Sequence, residues 1–346
     1  MRVGMMLNYS GGFLEAADEV ARLEAAGVEL VAVPEAYSFD AVSALGFLAA
    51  RTTKMQLASG ILQAFTRTPT LTAMTAAGLD YVSNGRFTLG LGASGPQVIE
   101  GFHGVPYDAP LGRTREIVEI CRMVWRREPV VYEGRRYRIP LPEGEGTGLG
   151  KPLKLINHPV RERVPIVIAA LGPKSVAQTA EIAEGWQPMF FNPERSREVW
   201  GSALDAGLAR RDAELGPLDI VAGPPMAITK LPKLFLPHVK PMLALYVGGM
   251  GARGKNFYFD LFSQFGFEAE AVKIQDLYLA GEKQQAINAV SDEMVRAVSL
   301  IGPKSYVAER VAAFAEAGVT TLAVTPLAKT SDDRVKLMSK FRELVG

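Results

Sequence analysis

Short apolar runs alternate along the chain with segments whose apolar residues recur at helical spacing. Residues 13–26 and 70–82 show this spacing, and each segment follows an apolar run of strand length. Strands that alternate with helices are typical of βα units and a parallel sheet. Eight apolar runs predict strands, at 3–7, 30–33, 55–62, 87–91, 166–170, 186–190, part of 220–228, and 321–325.

Two stretches interrupt this alternation. Residues 129–140, PVVYEGRRYRIP, predict a β-hairpin that turns at Glu133–Gly134, and a polar, glycine-rich loop continues to residue 163. From residue 231 onward, prolines, glycines and aromatic residues mix without a clear period. Long excursions of this kind often shape or cover a substrate pocket. We predict one domain over 1–346, with insertions at about 129–163 and 231–280.

The junction VPIVIAALGPKSVAQTAEIAEG, at 164–185, runs an apolar strand through Gly172–Pro173 directly into a helix. Pro173 suits the first helical position, and Gly172 lets a ligand approach the backbone. Free amides, the positive end of the helix dipole and Lys174 together favour an anion site, although an ordinary βα turn also explains the motif taken alone. The GPKS motif occurs a second time, in IGPKS at 301–305. We expect a helix, and not a strand, to precede this second copy. Only the first copy is therefore expected at the carboxyl end of a strand, where parallel barrels place active sites.

Two glycine-rich motifs resemble nucleotide-binding loops. GLGASG at 90–95 fits GxGxxG, but Pro96 follows it and no acid ends the next strand, so we favour a strand end that lets a ligand lie close. GMGARGK at 249–255 resembles a phosphate-binding loop, but Asn256 stands where magnesium binding needs Ser or Thr. We interpret this second motif as a glycine-rich loop inside the insertion.

Charge and composition narrow the choice of ligand. Lys plus Arg (38) nearly equals Asp plus Glu (37), which argues against nucleic acid or an anionic membrane and favours a small neutral or anionic molecule. The lone Cys121 excludes an internal disulfide, and neither His158 nor His238 has metal-ligand spacing, so no metal is predicted. Asp80 and Arg86 bracket a turn and are expected to form a structural ion pair. No membrane span or signal sequence is evident, and we expect a cytoplasmic protein.

Three stretches resemble the luciferase-like flavin and deazaflavin oxidoreductases: SGILQAFTRTP at 59–69, LDYVSNGRFTLGLGAS at 79–94, and AALGPKSVAQTAEIAEGW at 169–186. The resemblance implies an α/β fold, a (β/α)8 TIM barrel with insertions that is usually dimeric, in agreement with the eight predicted strands. The chain looks most like the branch that uses coenzyme F420, an 8-hydroxy-5-deazaflavin. This likeness implies a homodimeric oxidoreductase that moves a hydride between the deazaflavin C5 and a small alcohol, ketone or enone.

The resemblance also implies where the cofactor lies. A non-proline cis peptide of strand three would fall at Gly60–Ile61 and support the back of the ring. Glu35, which ends strand two, and Gln63 match positions that contact the ring. The positions that match the phosphate loop are Leu171, Gly172, Pro173 and Lys174.

The sequence differs from the F420-dependent branch at the positions expected to transfer the proton. Members that oxidise sugar phosphates have a His directly after the strand-two acid, but this chain has Ala36 and then Tyr37. By their position on strand-end loops, His103 and Tyr37 are the candidate catalytic residues, because an imidazole exchanges protons near neutral pH and a phenol donates a hydrogen bond. Two alternatives remain open: an FMN-dependent monooxygenase fed with reduced flavin by a partner reductase, and a non-catalytic flavin-binding barrel.

Overall fold

The computed structural model describes residues 1–7 and 12–346. Within these residues, eight parallel strands close into a barrel, so the predicted (β/α)8 fold is confirmed. The strands have these bounds: β1 Arg2–Met6, β2 Leu30–Val33, β3 Gln56–Ser59, β4 Leu62–Gln63, β5 Phe87–Gly92, β6 Tyr132–Glu133, β7 Arg138–Ile139, β8 Ile166–Ala169, β9 Gly185–Gln187, β10 Asp219–Ala222, β11 Pro225–Ile228, β12 Leu300–Gly302 and β13 Thr321–Pro326. The barrel order is β1, β2, β3, β5, β8, β9, β10 and β13, and β13 pairs with β1 to close it.

Alternate residues of each barrel strand face opposite sides of the sheet. In β2, Leu30 and Ala32 belong to a small cluster inside the barrel, whereas Val31 and Val33 pack into the large core beneath the helices. All four side chains are buried. Because both faces of the strand are covered, its sequence is apolar throughout and does not alternate with polar residues.

Helices surround the barrel, and several begin at residues that suit a helix start. The Asp40 carboxylate accepts the amides of Val42 and Ser43, and the Thr68 hydroxyl precedes a proline at the first helical position. The helices have these bounds: α1 Phe13–Ala25, α2 Ala41–Arg51, α3 Pro69–Val82, α4 Pro96–Ile99, α5 Pro110–Trp125, α6 Pro173–Ile182, α7 Ser196–Leu208, α8 Lys240–Ala244, α9 Phe257–Phe262, α10 Glu268–Leu279, α11 Lys283–Ala289, α12 Asp292–Ala297, α13 Lys304–Glu316 and α14 Ser331–Val345.

The first interruption contains the antiparallel hairpin β6–β7, whose turn residues 134–137 lie against α5. The buried Glu116 carboxylate of α5 accepts the amides of Arg135, Arg136 and Tyr137 at 2.9–3.0 Å, which holds the turn to the helix. The second interruption is mainly helical, from α8 to α11, and includes a π-helical turn at Leu245–Gly249 and a kink at Gly266, whose φ is 94°. In the described part of the chain, no helix has the length and apolar character to cross a membrane.

Two sequence predictions are wrong in detail. The second GPKS copy does follow a strand, because α12 ends at Ala297 and β12 intervenes before α13; β12 pairs with β11 and is not one of the eight barrel strands. Asp80 pairs with Arg161, at 3.1 Å from Nε, and not with Arg86. The Arg86 guanidinium instead donates to backbone carbonyls, including that of Met55 at 2.6 Å.

Candidate functional site

The carboxyl end of β3, the third barrel strand, packs closely against β5, the fourth barrel strand. The Gly60–Ile61 peptide bond is cis, at the position that the resemblance indicated. The Ser59 hydroxyl donates to the Gly90 carbonyl and accepts the Gly90 amide, both at 2.8 Å. A Cβ at Gly90 would overlap the Ser59 carbonyl oxygen, and one at Gly92 would press on the Ile61 side chain. These two glycines therefore set the position of the segment that ends strand three.

Gln63 lies directly after this segment and is 2% exposed. Its Nε2 donates to the Ala36 carbonyl at 2.9 Å, and Ala36 holds a left-handed φ of 47°. Its Oε1 is buried and has no hydrogen-bond partner among the described residues. Since a buried acceptor without a donor is costly, the geometry suits a ligand N–H at this point.

Glu35 has a partner that the sequence did not identify. Its carboxylate accepts hydrogen bonds from both terminal nitrogens of Arg67, at 2.7 and 2.8 Å, and from the Ala41 amide, at 3.1 Å. The hydrogen bond to Glu35 raises the pKa of Arg67 against the opposing effect of burial. Both side chains are at most 14% exposed. The predicted ring contact thus forms one half of a bidentate ion pair beside Gln63.

Two tryptophans form hydrogen bonds with the backbone of the loop before α6, at Ala170 and Leu171. The Trp186 indole donates to the Ala170 carbonyl at 2.8 Å, and the Trp200 indole donates to the Leu171 carbonyl at 2.9 Å. Both tryptophans are buried, and their rings meet edge to face at 5.1 Å. Sequence reasoning missed this support, although the chain has only three tryptophans and buried indole N–H groups need acceptors.

The start of α6 has the predicted geometry for an anion. Gly172 is the extended N-terminal cap and Pro173 occupies the first helical position, so the amides of Lys174 and Ser175 have no acceptor within the helix. The Ser175 hydroxyl already donates a hydrogen bond to the Gly172 carbonyl, at 2.8 Å. Lys174 is exposed beside this helix start. The loop therefore offers two backbone donors and one cation to the same small region.

His103 and Tyr37 come together through a third ring. Phe102 lies 5.1 Å from the His103 ring and 6.2 Å from the Tyr37 ring, measured between centroids. All three side chains are exposed, Tyr37 at 64%. Within the described residues the imidazole forms no side-chain hydrogen bond, and it is accessible from solvent.

A group of aromatic residues that the sequence did not single out lies beside these elements. Phe190, shortly after β9, has a left-handed φ of 60°, and its ring meets those of Tyr246 and Tyr258 edge to face at 5.2 and 5.9 Å. Tyr107 stacks on Phe65 at 4.9 Å. Burial raises the pKa of Tyr258, and the neighbouring Tyr246 and Tyr107 raise it further. The phenol of Tyr258 therefore stays protonated at neutral pH.

In the described part of the chain, the side chains that could bind a metal ion do not form a cluster, and the side chain that could act as a nucleophilic thiol is buried. No group of three or more His, Cys, Asp or Glu side chains in residues 1–7 and 12–346 is placed to hold a metal ion. Cys121 is fully buried, and burial raises the pKa of its thiol. A buried, protonated thiol is a poor nucleophile, so Cys121 acts as a core residue.

Comparison with known proteins decides the family. Residues 1–321 match the luciferase-like monooxygenases. The chain belongs to this family. A Mycobacterium tuberculosis protein named "Putative coenzyme F420-dependent oxidoreductase" is 41% identical to this luciferase-like chain over 331 residues, which cover 94% of this chain and 95% of that protein. A 5,10-methylenetetrahydromethanopterin reductase of Archaeoglobus fulgidus is 28% identical over 86% of this chain and 85% of its own.

Solved structures support the luciferase-like fold. The coenzyme F420-dependent tetrahydromethanopterin reductase of Methanopyrus kandleri superposes with a TM-score of 0.82 at 22% identity, over 98% of this chain and 97% of that chain. An F420-dependent secondary alcohol dehydrogenase, solved with an F420–acetone adduct, superposes with a TM-score of 0.75 at 16% identity, over 100% and 98% of the two chains. At these identities the likeness is one of fold.

Proposed function

We propose that this protein is a coenzyme F420-dependent oxidoreductase that transfers a hydride between the deazaflavin C5 and a small organic substrate, an alcohol, ketone or enone. The observation that carries the proposal is the buried Oε1 of Gln63, beside the Gly60–Ile61 segment, to which no described residue donates a hydrogen bond. A flavin or deazaflavin ring has an N–H that this oxygen would accept. The coenzyme F420 named for the Mycobacterium tuberculosis relative favours the deazaflavin.

The residues present fit the two ends of such a cofactor. Gln63 would accept the ring N–H, while the Ile61 segment, backed by Gly92, would lie against one face of the ring. The first amides of α6 and the Lys174 ammonium would hold the phosphate. When bound, the deazaflavin supplies a carbon that gives or takes a hydride.

The remaining chemistry falls to the chain itself. Trp186 and Trp200 fix the carbonyls of the phosphate loop, which keeps the start of α6 in place. The Glu35–Arg67 pair holds the loop after strand two, whose Ala36 carbonyl orients Gln63. Fixed contacts of this kind bring hydride donor and acceptor together at little entropic cost. We propose that His103 moves the accompanying proton and that Tyr37 donates a hydrogen bond.

Fluorescence titration of the purified chain with oxidised F420 and with FMN tests the proposal. F420 is expected to bind much more tightly than FMN, because its long anionic tail adds contacts that FMN cannot make. Preferential FMN binding would contradict the proposal and support a flavin-dependent monooxygenase. Tight F420 binding without turnover of any alcohol, ketone or enone would support a non-catalytic binding protein.

Lys174→Ala is expected to weaken F420 binding by about 1–2 kcal/mol, because it removes a charge-assisted contact at a helix start. The binding of a deazaflavin that lacks the phosphate should not change. Titration of both ligands by fluorescence measures the difference. Lys304→Ala is a matched control, since Lys304 occupies the same place in the second GPKS copy. Equal losses for both ligands would argue against a phosphate contact.

His103→Ala is expected to lower turnover by about tenfold or more, because general acid–base catalysis commonly contributes at least this much. F420 affinity should stay almost unchanged, and Tyr37→Phe should have a smaller effect on turnover. Steady-state kinetics together with F420 titration measure both quantities. His158→Ala serves as the control, because this second exposed histidine contacts Arg127 and is not adjacent to Phe102. Wild-type turnover in His103→Ala would exclude this residue as the proton carrier.

A further inference from the structure

The glycine-rich segment 249–255 is followed by Asn256, whose side chain forms hydrogen bonds with the backbone on both sides of the segment. Asn256 is 1% exposed, and its Nδ2 donates to the carbonyls of Tyr246 and Val247 at 3.0 and 2.9 Å. Its Oδ1 accepts the amides of Tyr258 and Phe259 at 2.9 and 3.2 Å. Both donors and the acceptor of the side chain are therefore used. Asn256 joins the π-helical turn to the start of α9 across the loop.

This link sets two tyrosine rings against each other. Tyr246 precedes the loop and Tyr258 follows it, and their rings meet edge to face at 4.7 Å. Each ring also meets Phe190, which follows the barrel strand β9. The carboxyl ends of parallel barrel strands are where active sites form. The insertion thus contributes an aromatic wall at that end of the barrel.

The Tyr258 hydroxyl differs from the hydroxyls of Tyr107 and Tyr132. Tyr107 donates to the Ser94 carbonyl at 3.2 Å, and Tyr132 donates to Glu119 at 2.5 Å. Tyr258 is only partly accessible, and its hydroxyl forms no hydrogen bond with any described residue. Burial keeps the pKa of this phenol high. The group is a neutral hydrogen-bond donor among aromatic side chains, and it is available to an acceptor that a ligand brings.

We propose that Tyr258 determines substrate specificity by donating a hydrogen bond to the carbonyl oxygen of a flat, neutral ring ketone or enone. The edges of the Phe190 and Tyr246 rings would pack against the apolar body of this substrate. The inference deepens the proposed function and rests on it for the position of the substrate beside the deazaflavin. An uncharged donor in an aromatic wall favours a carbonyl over a carboxylate, whose burial would need a cation.

The test compares two probes by isothermal titration calorimetry on protein saturated with F420. Cyclohex-2-en-1-one carries the carbonyl, and cyclohexene has a similar ring without it. Tyr258→Phe is expected to weaken enone binding about threefold to tenfold, the usual worth of one hydrogen bond, and to leave cyclohexene binding unchanged. Tyr81→Phe, which alters a tyrosine of α3 that is 66% exposed, is the matched control and should change neither probe.

Three results would overturn the inference: unchanged enone binding in Tyr258→Phe, equal losses for both probes, or wild-type protein that binds F420 but not the enone. Thermal melting of Tyr258→Phe, expected to match the wild type, separates a lost contact from a damaged fold. Failure of the proposed function is distinguishable, because it appears as weak F420 binding before any probe is added. In that case the same pair of probes is titrated into the protein alone, with the same expectation for Tyr258→Phe.

Discussion

Gly90→Ala is expected to lower the free energy of unfolding by about 3 kcal/mol or more, the upper range for overpacking. The added methyl would overlap the Ser59 carbonyl oxygen, and a backbone atom in the middle of a barrel cannot turn away as a side chain can. The two hydrogen bonds between Ser59 and Gly90 would be lost as the strands separate. Urea denaturation followed by circular dichroism measures the change.

F420 binding should fall together with stability, because Ser59 leads directly into the Gly60–Ile61 segment. Gly78→Ala is the matched control: Gly78 lies inside α3, and a Cβ there meets no atom within 4 Å. That substitution should raise stability by about 0.5–1 kcal/mol, because alanine loses less backbone entropy in a helix. Wild-type stability and F420 affinity in Gly90→Ala would show that the two strand ends can separate without cost.

Arg67→Met is expected to lower the free energy of unfolding by about 3–5 kcal/mol, the usual result of removing one partner of a buried ion pair. Glu35, whose side chain is 8% exposed, would then have the Ala41 amide as the one donor to its carboxylate among the described residues. Because the adjoining Ala36 carbonyl orients Gln63, F420 affinity should fall as well. Chemical denaturation and F420 titration of the variant measure the two effects.

Two further variants decide whether the buried charge causes this loss. The double variant Glu35→Gln/Arg67→Met should recover part of the stability, since it leaves no unpaired charge. Arg51→Met removes a 3.0 Å pair with Asp18 in which the side chains are 49% and 71% exposed. Its expected cost is below about 1 kcal/mol. A loss in Arg67→Met no larger than that in Arg51→Met would mean that the Glu35–Arg67 pair contributes little.

Local patterns predicted the framework well. The apolar run LVAV of β2, covered on both faces, and the helix that follows the loop after it are visible in the order of residues along the chain. The hairpin near Gly134 and the α6 start at Gly172–Pro173 were predicted for the same reason, since turn residues act on their immediate neighbours. The position of the cis peptide came from resemblance, because no local rule places one before isoleucine.

Partners that are distant along the chain were not predictable in this way. Asp80 lies six residues from Arg86, yet its partner is Arg161, which the loop after the hairpin brings back to the start of β5. The interpretation of IGPKS failed for a related reason. The apolar run Leu300–Gly302 is too short to predict a strand from sequence. It forms a strand because it pairs with β11, which lies beside it.

The sequence by itself determined the alternation of strands and helices, the family likeness and the motif that opens α6, because each depends on neighbouring residues. Only the tertiary structure decided which groups meet: Arg67 with Glu35, Trp200 with the Leu171 carbonyl, and Tyr258 with Phe190. The chemistry of a side chain determines whether it needs a hydrogen-bond donor, an acceptor or an apolar neighbour. Barrel closure determines which of the many eligible partners comes within reach, because it brings residues far apart in the chain to the same strand ends.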